Sequence, residues 1–486
     1  MRFISIDLGT TNLKAACYSE ALDLLALKSK EVEYITDGER IEFSAEKYFE
    51  DLLRLLYDCV TQAGAGEISR IVLTGQAESL VALDSEGLPL FNAISWMDGR
   101  SSDQCEQLKN LFDQKICYKT TGNPEIITTW PITKMLWLKD NLPDVFSHVA
   151  KYIMLKDYII YRLTGVLAGE YSIYNFSHYF DIIRKRYWTE ILDHVGVSLS
   201  QLPDLVEPCA DVGPVLSSIA QDLGLKGELI VNVGALDHFA NMIGTGNIRT
   251  GLLSETTGTV MTLATLTEQP VFSSPPIACH YGAFPDHYVM LAVCEGGGIN
   301  LEWYKKQFLP DVSYEELNRI ITRKQIHPKL LYLPYISGSS APDYNAGARG
   351  VFSGLDASMD KYDMALAIME GIAHQVARNI QFFRTLGIQS DSVTSTGGGA
   401  RSDVWNQLKA DISNISIAIP ENEEAACLGA AMIGAVKAGV FSTYDEAAAS
   451  CVKICKTFTP GRHEEMAKKH ELFELLYSQM EPVFSA

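Results

Sequence analysis

Two short segments of this chain combine the residue types needed to hold a phosphate. Asp7-Leu8-Gly9-Thr10-Thr11-Asn12-Leu13-Lys14 follows the apolar run Phe3-Ile4-Ser5-Ile6. Ser254-Glu255-Thr256-Thr257-Gly258-Thr259-Val260 precedes Met261-Thr262-Leu263-Ala264. Each reads as a tight Gly/Thr turn between two strands. A glycine beside threonines lets backbone N–H groups approach an anion closely, with hydroxyls at hand. One such turn reads equally as an ordinary β-hairpin. Two, one opening the chain and one near its middle, point to duplicated halves that grip a polyphosphate from opposite sides. The chemistry implied is nucleotide-dependent phosphoryl transfer. Such transfer needs a general base near the acceptor hydroxyl. Asp237 stands where the apolar strand Leu229 to Val233 turns, through Gly234-Ala235-Leu236, into a helix-like segment from His238 to Thr245. It is placed either to cap that helix or to take a proton. Asp7 is placed either to order its hairpin or to anchor the water shell of a magnesium ion, which takes few protein carboxylates.

The elements that must position these groups are legible in outline. Apolar runs at 3–6, 13–18, 71–73 and 80–83 predict strands, and segments 46–60, 132–140 and 152–163 carry helical periodicity. Lys226-Gly227-Glu228 is a polar turn ahead of the strand 229–233. After Gly244-Thr245-Gly246 a second half opens, with strands expected at 252–256, 260–266, 288–293, 330–336 and 392–396, and a short one at 415–419 stopped by Pro420. Helices are expected at 361–386, 403–412 and 425–438, with another beginning near Ile299. Strands first, then alternating helices, in each half: this predicts two α/β domains, 1–246 and 247–486, with a catalytic cleft between them.

Composition narrows the partners. The chain has 486 residues, 47% hydrophobic and 21% charged, which suits folded domains with substantial cores. Its net charge of −20 argues against nucleic acid as a partner. An anionic nucleotide must then be held by local dipoles and a metal. The longest apolar stretch near the C-terminus, Ala425 to Val436, is too short to span a bilayer, and Met1-Arg2-Phe3-Ile4 has no secretory pattern. Ten cysteines are scattered singly, so buried thiols in a reducing cytoplasm are expected rather than disulfides or zinc. Trp137, Trp188 and Trp303 read as core aromatics.

Two longer motifs carry a family resemblance. Gly350-Val351-Phe352-Ser353-Gly354-Leu355, seven residues, then Asp363-Met364-Ala365-Leu366-Ala367-Ile368-Met369-Glu370 resembles the C-terminal signature of the FGGY carbohydrate kinases at every constrained position. Pro131-Ile132-Thr133-Lys134-Met135-Leu136-Trp137-Leu138-Lys139-Asp140-Asn141 resembles the N-terminal signature and departs from it only at Thr129. The resemblance runs from residue 3 to about residue 440. It implies two actin-like (ribonuclease H-like) α/β domains and ATP-dependent phosphorylation of a sugar hydroxyl, with ATP and Mg2+ bound.

The resemblance also implies roles. Asp237 aligns with the family's catalytic base, with Leu236 and His238 as local variations beside it, and Asp7 with the metal anchor. Thr10, Thr11 and Asn12 would meet the phosphates from one domain, and Gly258 and Thr259 from the other. Lys14 matches a basic residue that reaches the transferred phosphate in glycerol kinases, or is a solvated strand residue. Gly397-Gly398-Gly399-Ala400-Arg401, with Asn406 on the purine side and Gly297 and Gly298 as a second wall, would hold adenosine. Gln76-Ala77-Glu78-Ser79 matches the substrate loop. Glu78 would accept sugar hydroxyls, and Ala77 replaces the arginine that grips glycerol. Trp96, Asp98 and Arg100 follow a Trp-x-Asp-x-Arg stretch near the sugar, although Asp98 and Arg100 read equally as a structural ion pair. The expected reading is a cytoplasmic pentulose kinase, as for xylulose. L-fuculose, gluconate and polyols are the rival substrates, and an actin- or Hsp70-like protein ATPase or a non-catalytic sugar sensor are the rival classes. Dimers are frequent among the proteins it resembles, so a homodimer is expected.

Overall fold

The computed structural model describes residues 1–64, 67–225 and 229–485; the turn expected at Lys226-Gly227-Glu228 lies outside the described residues. Two large mixed sheets organise the chain. The first has the order β5-β6-β4-β1-β2-β3, built from β1 (Arg2–Leu8), β2 (Asn12–Ser19), β3 (Leu24–Glu31), β4 (Ile68–Gly75), β5 (Asp211–Pro214) and β6 (Ile230–Leu236). The second has the order β9-β10-β8-β7-β11-β12-β13, built from β7 (Leu253–Thr257), β8 (Met261–Thr267), β9 (Ala278–Tyr281), β10 (Tyr288–Cys294), β11 (Ser392–Thr396), β12 (Ser416–Pro420) and β13 (Ile454–Phe458).

The duplication implied by the two turns is a duplication of topology. In the first sheet β1 pairs antiparallel with β2 and parallel with β4, and β4 runs parallel to β6. In the second, β7 pairs antiparallel with β8 and parallel with β11, and β11 runs parallel to β12. The first half is a three-strand meander extended by two parallel strands and closed by the antiparallel edge β5; the second has the same arrangement in β10, β8, β7, β11, β12 and the antiparallel edge β13, with β9 added antiparallel outside β10. Parallel neighbours require crossover connections, and helices supply them: α1 (Ala45–Ala63) lies between β3 and β4, α5 (Lys361–Thr385) between β10 and β11, and α6 (Asp403–Ser413) between β11 and β12.

A helix follows the last parallel strand of each half: α3 (Asp237–Gly244) after β6, and α7 (Ala425–Lys437) after β12. These two pack on each other at glycines. A Cβ on Gly244 would stand 1.8 Å from the Ala425 carbonyl oxygen, and one on Gly429 would stand 1.9 Å from that of Ala240. One hydrophobic cluster holds residues of both sheets, such as Phe3, Val72, Leu263 and Val393, together with Phe239 and Met242 of α3 and Leu428 and Ile433 of α7.

The expected elements stand within three residues of their predicted ends, apart from two, and one aromatic departs from its expected burial. The helix expected at 152–163 begins as a strand, Lys151–Met154, and turns helical only over Leu155–Thr164. Its first residues pair antiparallel with Leu80–Leu83, and the Asp157 carboxylate accepts from the Met154 N–H at 3.0 Å to start the helix. The strand expected at 330–336 is only Leu331–Leu333, because Pro334 has no N–H to donate. Trp137 and Trp188 are buried as expected, but Trp303 is 41% exposed on α4 (Ile299–Phe308). All ten cysteines are free and eight are buried. Among the described residues no helix is long and apolar enough to cross a membrane.

The glycine crossing yields a prediction. Gly429→Ala forces a methyl into a backbone oxygen and should lower unfolding free energy by about 1–3 kcal/mol. Urea denaturation of the ligand-free protein checks this; an unchanged midpoint would mean that the helices separate without cost.

Candidate active site

The parallel strands bring one set of residues to a common edge. Leu8 pairs with Gly75, and Gly75 with Leu236. The next residues, Gly9, Gln76 and Asp237, therefore emerge together at the carboxyl ends of three adjacent strands, where open α/β sheets bind ligands. The same logic runs in the second sheet. Thr256 pairs with Thr396 and Met261 with Cys294, so the turn after β7 meets the loop after β11 and the segment after β10.

The first turn presents donors. Its carbonyls are drawn outward: Gly9 O accepts from Tyr48 Oη at 3.3 Å and Gln76 Nε2 at 3.4 Å, Thr10 O from Tyr34 Oη at 2.9 Å, and Thr11 O from the Val32 N–H at 2.9 Å. Among the described residues the N–H groups of Gly9, Thr10 and Thr11 have no protein acceptor. A turn with its oxygens tied back and its N–H groups free is suited to an anion.

The second turn is walled by glycines for a steric reason. The Gly298 N–H donates to Gly258 O at 2.8 Å, and the Ile299 N–H to Thr259 O at 3.1 Å. A Cβ on Gly297 would meet the Met261 nitrogen at 2.5 Å, and one on Gly298 the Gly258 oxygen at 2.4 Å. Gly399 packs on the Thr257 side chain, while Gly398 faces open space. Asn406 is fully buried behind this loop. Its Nδ2 donates to Ala400 O at 2.8 Å, and its Oδ1 has no partner. Asn406 thus fixes the loop from behind.

Asp237 begins α3 at the cleft floor. Its Oδ1 accepts from the His238 N–H at 2.6 Å and from His238 Nδ1 at 3.0 Å, while Oδ2 has no protein partner among the described residues. His238 is 45% open to solvent. Desolvation by the surrounding walls disfavours its imidazolium, but the hydrogen bond and charge of Asp237 outweigh this and raise its pKa. Asp7 has a buried Oδ1 without a partner. Burial first, then the charges of Asp237 and Glu424, push its carboxyl up to about 7 against the pull of Lys14. An orphaned carboxylate oxygen among like charges fits a cation held partly through water. Among the described residues no group of three or more His, Cys, Asp or Glu side chains converges as a metal cage.

Several expected residues take a different place. Lys14 is no free surface lysine: its Nζ lies 2.5 Å from Glu424 Oε2, a residue at the N-cap of α7 in the other half of the chain. Asp98 is fully buried, and both its oxygens are occupied by Arg100 (2.7 Å) and by the Ile41 and Arg100 N–H groups. The ion-pair alternative is the one present, and no Asp98 oxygen is left for a sugar. Ala77 is packed into the core at 2% exposure, so it presents almost no surface to the cleft. Gln76 spends its amide on Gly9 O and on the Ser79 hydroxyl (2.7 Å). Glu78 alone of this loop is not fully buried, and it is held at a left-handed φ of 63°, a strained state for a residue with a Cβ.

Sequence reasoning missed four polar residues. Lys134, in α2 (Pro131–Asn141), is fully buried, with its Nζ on Ser95 O at 2.7 Å and Thr129 O at 3.0 Å. Burial draws the nearby Glu78 and Lys134 toward their neutral forms, raising the one and lowering the other. A lysine inside the apolar Pro131–Leu138 run was the available signal. Glu255 and Lys409 form a buried ion pair at 2.9 Å beneath the second turn, with Thr257 at 3.0 Å from the ammonium. Glu424 gave no signal at all.

Two duplicated sheets, each offering a glycine-lined anion turn, with an open aspartate on the floor between them, define a two-domain phosphotransferase of the actin-like ATPase fold. The family model for the N-terminal domain of the FGGY carbohydrate kinases matches residues 2–244, and that for the C-terminal domain matches residues 253–438. The chain belongs to the FGGY family of carbohydrate kinases. It is 30% identical over 478 residues to the xylulose kinase of Bacillus subtilis (strain 168), covering 97% of this chain and 95% of that protein. Its fold superposes on the ligand-bound xylulose kinase from Lactobacillus acidophilus with a TM-score of 0.92 at 26% identity, over 99% of this chain and 98% of that one. The gluconate kinase from Lactobacillus acidophilus gives the same TM-score, 0.92, at 27% identity, over 100% and 98%.

The raised Asp7 pKa gives a signed prediction. Its folded value lies above the unfolded one, so the group favours the folded chain at low pH, and that contribution is lost as pH rises through about 7. In metal-free buffer Asp7→Asn should therefore melt several degrees above the parent at pH 8, the gain shrinking between pH 7 and pH 4. Equal melting temperatures at pH 8 would remove the buried-charge account of Asp7.

Proposed function

We propose that this carbohydrate kinase transfers the terminal phosphoryl group of ATP to a hydroxyl of a pentulose, with D-xylulose as the preferred acceptor. The observation that carries the reading is the placement of Asp237, with one carboxylate oxygen free, on the edge shared with the Gly9 turn and the 76–79 loop. Full-length similarity to proteins named xylulose kinase supports the substrate class. Similarity to gluconate kinases keeps gluconate as the main rival.

In this reading residues 1–246 form the sugar-binding domain and 247–486 the nucleotide-binding domain. Asp237 Oδ2 takes the proton of the acceptor hydroxyl as its oxygen attacks the terminal phosphorus, and ADP leaves. His238, through Oδ1, orients the carboxylate so that Oδ2 faces the sugar. Glu78 and the face of Trp96 bind the acceptor. Thr10, Thr11 and Asn12 hold phosphate oxygens from one side, and Gly258 and Thr259 from the other. Lys14 exchanges its Glu424 partner for the transferred phosphate. Gly297, Gly298, Gly398, Gly399 and Ala400 form the walls for adenosine, supported from behind by Asn406. Asp7 would hold Mg2+, which would neutralise charge on the phosphates. The protein works in the cytoplasm.

Asp237→Asn should keep the fold and nucleotide affinity and lose about 10²-fold or more in kcat, because an amide cannot take the proton. Near-normal kcat in a coupled ADP-release assay would remove Asp237 from the chemistry. The substrate is tested with D-xylulose, L-fuculose, gluconate, erythritol and glycerol, each with MgATP. D-xylulose should give the highest kcat/KM and glycerol a low one; a maximum for glycerol or gluconate would overturn the pentulose assignment.

A further inference from the structure

Thr10 is held by an unusual partner. Its hydroxyl oxygen accepts a hydrogen bond from the indole Nε1 of Trp96 at 2.9 Å, across 86 residues of sequence. Indole N–H is a donor and has no acceptor, so this bond has only one polarity. With a lone pair of Thr10 Oγ1 filled, the hydroxyl's own proton must point elsewhere. Among the described residues no protein group receives it. The free N–H groups of Gly9, Thr10 and Thr11 belong to the same turn.

Trp96 is itself fixed from the opposite side. Its main-chain N–H donates to Ser79 Oγ at 3.2 Å, Ser79 Oγ donates to Gln76 Oε1 at 2.7 Å, and Gln76 Nε2 reaches back to Gly9 O at 3.4 Å. The ring of bonds closes on the turn where it began. It runs through buried Gln76 and Ser79, so the indole is set by the substrate loop rather than by solvent.

We propose that Trp96 is a positioning residue for Thr10: it turns the Thr10 hydroxyl into a preset donor toward a phosphate oxygen of the nucleotide. This rests on the assignment of residues 9–12 to the nucleotide phosphates. Without the indole N–H, the hydroxyl is free to rotate and to present a lone pair, which repels the anion.

A double-mutant cycle tests the coupling. Trp96→Phe keeps an aromatic ring without the N–H, and Thr10→Val keeps the shape without the hydroxyl. The probe is a non-hydrolysable ATP analogue with Mg2+, titrated calorimetrically without sugar, so no knowledge of the acceptor is needed. Each single variant should weaken binding about tenfold, and the double variant should bind no worse than about twofold below Thr10→Val alone. A general loosening of the pocket would instead make the two losses multiply. Multiplying losses, or a Trp96→Phe variant that binds like the parent while Thr10→Val is weakened, would overturn the inference and leave the phosphate turn in place. If the parent binds the analogue and neither variant is weakened, the turn assignment fails first.

If Trp96→Phe does not fold, the 15N indole spectrum of the parent gives the same decision. The chain has six tryptophans, and the signal displaced in Thr10→Val is that of Trp96. It should move when the Mg2+ analogue is added to the parent and stay still in Thr10→Val. An indole signal that ignores the analogue in the parent would overturn the proposal.

Discussion

Where α3 crosses α7, backbone meets backbone. Gly244 and Gly429 leave no room for a side chain against Ala425 and Ala240, so the two helices approach as closely as peptide groups allow. α3 continues directly from β6, and α7 follows β12 after four residues, so the crossing fixes where both strand ends lie. Asp237 opens one helix and Glu424 caps the other, and both carboxylates act on Asp7 between them. The site is therefore a consequence of the interface. Displacing the crossing moves the proposed base on one side and the partner of Lys14 on the other.

The electrostatics of the cleft contrast with those of the walls. Away from it stand two buried ion pairs with further hydrogen bonds: Lys156 with Glu170 at 2.6 Å, itself tied to Ser172, and Lys409 with Glu255, Thr257 and Ser395. Leaving such a charge unpaired would cost several kcal/mol, of order 3–5 for a broken buried pair. On the cleft floor Lys14 pairs with Glu424 and Asp237 with His238, while Asp7, beside the charges of Asp237 and Glu424, keeps an oxygen with no partner. A chain with a net charge of −20 that leaves these carboxylates under-compensated is arranged for ligands that bring positive charge with them. The anion turns stand beside this floor, so a nucleotide carrying a cation supplies both complements at once.

The signals that sequence carried were local ones. Each Gly/Thr turn lies between strands adjacent in the chain, so composition over about ten residues sufficed to place it. The strand-to-helix step at Asp237, the two long signatures and the two-sheet α/β order were legible for the same reason, since periodicity and breakers act over one element. One error fell where pairing with a distant segment overrode local pattern. Tyr152 to Met154 carry helical spacing yet form a strand, because Leu80–Leu83 offers them a partner.

Sequence alone thus determined the fold class, the family, and the residues that stand at strand ends. Tertiary structure decided what those residues touch. Lys14 meets Glu424 across 410 positions, Trp96 meets Thr10 across 86, and Lys409 meets Glu255 across 154. Asp98 was an open choice between sugar and Arg100 until its burial settled it. The physical reason is one of range. Backbone propensity and hydrophobic period are properties of a short segment, whereas the partner of a buried polar group depends on which segments the packed core brings within about 3 Å of it.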